Sequence, residues 1–367
     1  MSQERVFGLD FLRALAVLMV LVAHASFLFI PLTTHLEAWW MLGHLGVELF
    51  FVLSGFLIGG ILAEQASSPR FSVGGFWTRR WLRTLPNYYL FLVLNIFIAR
   101  WTDGTWPHAL PNVVFMQNFL WPQPIFFIES WSLSVEEIFY LVAPLLLWAC
   151  RGRIPARLAP ALVVAAIIVL TCLRVAYVAA VNPGWDLPTR MVAAVRLDAI
   201  AYGVLAMLLC RRNEPLSKGA AGGVAFAGTI GLAIAIALYL TLSKDTDFFA
   251  RTALFSLFSI SFAAWLPAAS VWRASGLPDL IERAVRRVAR WSYALYLSQL
   301  ATLRVLEGLG LGKAETFTMC LAQAVLFMAL AIASAAFVYR FFEAPILRWR
   351  DRWTRPEPSP TETLRSA

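Results

Sequence analysis

Two side chains in the first apolar block have the types and spacing to act together on a bound molecule. Arg13 and His24 are eleven residues apart, about 1,100° of α-helix, so they share one face at an axial separation of about 16 Å. A neutral imidazole is a base near pH 7, and the aligned pair suits two contacts along one elongated ligand. A snorkelling arginine and a packed histidine fit the same residues. Further on, FWTRRWLRTLPNYY gathers Arg79, Arg80 and Arg83 beside Trp77 and Trp81. Guanidinium groups bind phosphates bidentately. The same patch also fits an orientation signal touching anionic lipid.

Carboxylates follow in equally apolar settings. GVELFFVLSGF carries Glu48 and Ser54, and ESWSLSVEE carries Glu129, three serines, Glu136 and Glu137. The adjacent pair Glu136–Glu137 fits either a site or favourable charge near a helix N-terminus. Arg196 and Asp198 open the sixth block, SYALYLSQ ends in Gln299, and YRFFEAP places Arg340 near Glu343 at the end of the last. Ionisable groups are expensive in lipid and usually face a polar cavity. Of four histidines only His24 lies deep within a block, and the four cysteines lack CxxC spacing. No metal site is therefore expected.

The elements that must position these groups are long apolar helices. Hydrophobic residues make up 60% of the 367 and charged residues 14%, against about 45–50% and about 25% in soluble domains. That excludes a soluble enzyme, a disordered chain and a disulfide scaffold. Apolar blocks lie near 7–30, 45–63, 85–100, 132–150, 159–180, 196–210, 222–242, 250–270, 291–309 and 316–340. Each approaches the length that spans a bilayer core of about 30 Å. The expected fold is all-α, a polytopic membrane protein of about ten transmembrane helices. Its membrane domain fills 1–350, and a disordered tail occupies 351–367.

Arginine and lysine set the orientation. Arg5, the tail and alternate connections hold 21, whereas the other connections hold only Arg190, Lys244 and Lys313. Both termini are thus expected in the cytoplasm of a cell (inner or plasma) membrane, with the Trp/Pro-rich stretch 101–130 outside. The net charge of +9 lies in these short clusters, not in a nucleic-acid-binding surface. Asp10 and Arg13 interrupt the approach to the first apolar run, which reads as a span and not as a cleaved signal peptide.

In order along the chain, LDFLRALAVLMVLVAH, GVELFFVLSGFLI, RRWLRTLPNYY, WSLSVEEIFYLVAPLLL, RLDAIAYG, SYALYLSQ and YRFFEAP resemble the motifs of the integral-membrane acyltransferase-3 family. That family is typified by O-antigen and exopolysaccharide O-acetyltransferases and macrolide O-acyltransferases. The resemblance runs from Leu9 to Pro345. It implies transfer of an acyl group, usually acetyl, from cytoplasmic acyl-CoA to a hydroxyl of a sugar, polysaccharide or macrolide-like acceptor. Acyl-CoA is then a substrate, with no permanently bound cofactor.

The family's Arg/His pair falls on Arg13 and His24, and its Arg-x-x-Arg on Arg80 and Arg83. Gln299 stands where the ninth-span motif commonly has His, and Glu48 where Asp is frequent. On this reading His24 is the base and Arg13 holds the donor, with Glu136 or Glu137 orienting His24 or the acceptor hydroxyl. Arg80, Arg83 and Arg79 would bind the donor's phosphates. Ser54, Glu48, Arg196, Asp198, Gln299 and Glu343 are further candidates. The rival reading is a transporter or flippase, against which stand the absence of inverted repeats and the RRxxR patch.

The orientation is directly testable. A cysteine introduced at Gly104 is expected to react in intact cells with an impermeant maleimide, and one at Ser217 is not. The opposite labelling pattern would invert the topology.

Overall fold

The structure, a computed structural model, describes residues 6–66, 71–153, 155–211 and 217–353. Arg5, Arg70, Arg212 and the expected tail from 354 onward lie outside the described residues. The helices are α1 Phe7–Ala25, α2 Glu37–Ala66, α3 Val73–Thr102, the one-turn α4 Leu110–Val113, α5 Ser130–Cys150, α6 Ala159–Val181 and α7 Leu197–Cys210. They continue as α8 Lys218–Thr241, the one-turn α9 Phe248–Arg251, α10 Ala253–Val271, α11 Asp279–Gly308, α12 Phe317–Val338 and α13 Ala344–Trp353. No strand occurs among the described residues. Residues 351–353, expected to begin the tail, instead complete α13.

Helix starts follow from local chemistry. Ser72, Ser217, Asp247 and Thr316 each accept the backbone N–H three residues on, at 2.9–3.4 Å, at the heads of α3, α8, α9 and α12. These side chains satisfy one of the donors that every helix N-terminus leaves open. Nine helical segments among the described residues are long and apolar enough to cross a membrane. The expected ninth span, residues 291–309, falls in α11, which does not meet that standard. Its first half carries Arg283, Arg286, Arg287 and Arg290, and its second half buries Ser292, Tyr296, Ser298 and Gln299 inside the bundle. A span enclosed by other helices needs no continuous apolar exterior.

Packing centres on α1, α2, α7, α10 and α11. Small residues let backbones meet, as membrane helices require where no hydrophobic force separates protein from lipid. A Cβ on Gly55 of α2 would lie 1.9 Å from the Ile200 carbonyl oxygen of α7, and one on Gly203 would lie 2.0 Å from that of Val52. Likewise a Cβ on Gly46 would lie 2.6 Å from the Ala16 carbonyl oxygen of α1. Buried ion pairs reinforce these crossings. Glu48 of α2 pairs with Arg196, which precedes α7, and accepts from Ser259 of α10 at 3.2 Å. Arg174 of α6 meets Asp198 of α7 at 2.7 Å. Removing one member of such a pair strands a buried charge, so these contacts bind four helices in a fixed register.

Gly203→Ala is expected to destabilise the protein by about 1–3 kcal/mol or more, the range for overpacking. Gly222→Ala, where an added Cβ meets nothing within 4 Å, is expected to be neutral or stabilising through helix propensity. Apparent melting temperatures in detergent distinguish the two. Equal melting temperatures would mean that the α2–α7 crossing relaxes freely.

Candidate active site

A cavity of about 650 Å³ runs into the bundle from the face at which α1 begins. Val6, Glu64 and Arg211 lie at its mouth, and Val47, Phe50, Ser132, Leu133 and Tyr296 at its inner end. The α2 lining extends from Glu64 to Val47, seventeen residues or about 25 Å of helix. Asp10 near the mouth pairs with Arg286 at 3.5 Å, and Glu64 pairs with Arg211 at 2.6 Å. Deeper charges on the lining are Arg13 of α1, Arg80 and Arg83 of α3, and Glu136 of α5. Glu137 and Glu343 lie close to Arg80 and Arg83 respectively, so the wall carries charges of both signs.

Local sequence explains how these groups are held. Pro144 removes a backbone N–H from α5 and so leaves the Tyr140 carbonyl without its helical partner. The Trp77 indole of α3 donates to that carbonyl at 3.1 Å. This bond ties α5 to α3 beside the arginines. The Arg80 guanidinium lies 4.5 Å above the Tyr140 ring, a cation–π contact. Tyr140 Oη donates to Glu136 Oε2 at 2.7 Å and lies 2.7 Å from Ser54 Oγ. Since the phenol has one proton, Ser54 is the donor in the second bond. Ser54, Tyr140 and Glu136 thus form one chain on the cavity wall.

The expected site residues do not all come together. Arg13, Ser54, Arg80, Arg83 and Glu136 converge on the cavity. Glu137, one residue and 100° further round α5, turns instead towards Thr84 and Trp81 of α3. Arg79 is likewise rotated away from Arg80 and is exposed beside Trp353. Glu48, Arg196 and Asp198 belong to the buried ion pairs between helices. Glu343, in a π-helical turn at the end of α12, accepts from Asn87 at 2.7 Å.

His24 does not line the cavity. Val17 and Val20 lie between it and Arg13 on the same face of α1, at 0% and 2% exposure, and form a dry layer. Tyr296 completes this layer from α11, with its hydroxyl 2.7 Å from Ser132 Oγ and donating to the Glu129 carbonyl at 3.1 Å. On the far side the His24 imidazole faces Gln299, one turn beyond Tyr296. Arg190 lies near His24 there and is paired with Asp186 at 2.6 Å. Its guanidinium also sits 5.0 Å from the Trp131 ring centre. Burial opposes ionisation of Asp186, yet the Arg190 guanidinium and His44 outweigh it and hold the carboxyl below its ordinary range. Glu129, just ahead of α5, is pushed up to about 7 by burial.

Tyr140, Tyr296 and Arg190 were not singled out from sequence. Tyr140 is one helical turn from Glu136, and Tyr296 is one turn from Gln299, so both were within reach of a helical projection. Arg190 had a signal too, because it is the one arginine in connections that otherwise carry only lysine.

The family profile described as an acyltransferase domain matches residues 6–340. The chain belongs to the integral-membrane acyltransferase-3 family. Peptidoglycan O-acetyltransferase OatA of Listeria monocytogenes is 25% identical over 375 residues, covering 94% of this chain and 56% of the relative. Acyltransferase MdmB of Streptomyces mycarofaciens is 27% identical over 88% of this chain and 86% of its own. The putative peptidoglycan O-acetyltransferase YrhL of Bacillus subtilis is 30% identical over 50% of this chain and 30% of its own. The chain therefore spans little more than half the length of OatA. No solved structure gives a significant match.

Proposed function

We propose that the protein is a membrane O-acyltransferase that moves a short acyl group from acyl-CoA to a hydroxyl of a sugar, polysaccharide or macrolide-like acceptor. The observation that carries this reading is the elongated cavity, with Arg13, Arg80 and Arg83 along its wall and a largely apolar inner end. Family membership supports the reaction class, and the names of OatA and MdmB support an oxygen acceptor. The donor enters from the cytoplasm, at the face where α1 begins. Its phosphates meet Arg80 and Arg83, and Arg13 holds the pantetheine or pyrophosphate portion.

The thioester then lies towards the inner end of the cavity, beside Ser132 and Tyr296. Tyr296 and Gln299 are about 4.5 Å apart along α11, so His24 stands just behind this end. His24 takes the proton of an acceptor hydroxyl arriving from the opposite face. The acceptor oxygen bonds to the acyl carbon, the carbon–sulfur bond breaks, and the thiol leaves with a proton from the site. Glu136, held by Tyr140 and Ser54, orients the donor.

Arg80→Ala combined with Arg83→Ala is expected to raise the dissociation constant for acetyl-CoA at least about tenfold. Each lost charge-assisted contact contributes about 1.5–3 kcal/mol. Calorimetry on purified, monodisperse protein measures this, and unchanged binding would reduce the patch to an orientation signal.

His24→Gln preserves hydrogen bonding but cannot accept the proton, and turnover is expected to fall by about 10²–10⁴ with donor binding retained. Arg13→Lys is expected to keep more activity than Arg13→Ala. Transfer of radiolabelled acyl groups, measured beside donor binding, tests both. A His24→Gln variant within a few-fold of wild type would move the base to Glu136.

A further inference from the structure

We propose that Phe50 is the acyl stop of this enzyme, so that the donor class is limited to short-chain CoA thioesters such as acetyl-CoA. The inference rests on the donor reading of the cavity given above and adds what sets the length of the group transferred. The cavity's polarity fixes the direction in which a donor lies. Its arginines are set back towards the mouth, and its inner end is built from Val47, Phe50, Phe51 and Leu133 with the hydroxyls of Ser132 and Tyr296. Phosphates at the arginines leave the acyl chain pointing at that apolar end.

The walls of the inner end differ in how firmly they are held. Behind Val47 the α1 and α2 backbones are in contact, since even a Cβ on Gly46 would come within 2.6 Å of the Ala16 carbonyl. No chain can extend between those helices. Tyr296 is tied through its hydroxyl to Ser132 and the Glu129 carbonyl. Phe51 is fully buried and packs edge-on against Trp131 at 5.6 Å.

Phe50 differs. It is half-buried, and its ring stands edge-on to Tyr296 at 6.1 Å with no polar tie. Truncating it lengthens the apolar end without breaking a hydrogen bond or an ion pair. Removal of a ring's volume admits several methylenes, each a factor of about four in affinity when buried.

The test measures dissociation constants of CoA, acetyl-CoA, butyryl-CoA and hexanoyl-CoA by calorimetry on detergent-purified wild type, Phe50→Ala and Phe50→Leu. Wild type is expected to bind acetyl-CoA more tightly than hexanoyl-CoA. Phe50→Ala is expected to tighten hexanoyl-CoA at least about tenfold relative to acetyl-CoA. Phe50→Leu should shift the preference part of the way, and it serves if the alanine variant does not fold. If CoA and acetyl-CoA bind but both variants keep the wild-type length preference, Phe50 is not the stop and the donor reading survives. If none of the four compounds binds wild type, the donor reading itself falls and takes the stop with it.

Discussion

Contact between bare backbones at the α2–α7 crossing sets the geometry on which the rest of the bundle depends. With Gly55 against the Ile200 carbonyl and Gly203 against that of Val52, the two helices can neither slide nor rotate without a collision. This fixes the position of Ser54 on the cavity wall, since it is the neighbour of Gly55. The same register brings Glu48 to Arg196, two turns away on α2. Dispersion between close helices is the main attraction available in lipid. A pair of glycines therefore determines where the polar chemistry sits, although glycine itself takes no part in it.

Buried charge is distributed on two principles in this molecule. Glu48 with Arg196, and Arg174 with Asp198, neutralise one another at helix crossings and leave no room for a ligand. Arg13, Arg80 and Arg83 instead line a recess open to a ligand, with Glu136 on the same wall. The cavity opens towards the start of α1, and His24 lies off it, facing Gln299 with Arg190 nearby. The layer of Val17, Val20 and Tyr296 between them is thin along α11 and apolar along α1.

The all-α architecture was legible because lipid leaves helices as the only way to satisfy backbone polar groups in long apolar blocks. Arg13, Arg80 and Arg83 were grouped from motif order, and all three line the cavity, whereas Ser54 was grouped with them only by the structure. What sequence did not reveal depends on rotation between helices. Glu136 and Glu137 are equivalent until α5 is set against α3 and α2, at which point only Glu136 faces the cavity. Glu48, Arg196 and Asp198 were as prominent as the cavity arginines because burial alone does not distinguish a pairing role from a binding one. Arg13 and His24 share one face of α1, but only Arg13 lines the cavity, and the buried Val17 and Val20 lie between them.

The polar interior of α11 bears on how the protein is made. A helix carrying Ser292, Tyr296, Ser298 and Gln299 within its apolar half gains little by partitioning alone into a bilayer, because each polar group weakens insertion. Its burial against α1, α3 and α12 supplies the partners that lipid cannot. Since α1 and α3 precede it in the chain, a receiving surface already exists when α11 leaves the ribosome, and α12 closes over it afterwards. The order of segments along the chain thus brings α11 after two of the helices that enclose it and before the third.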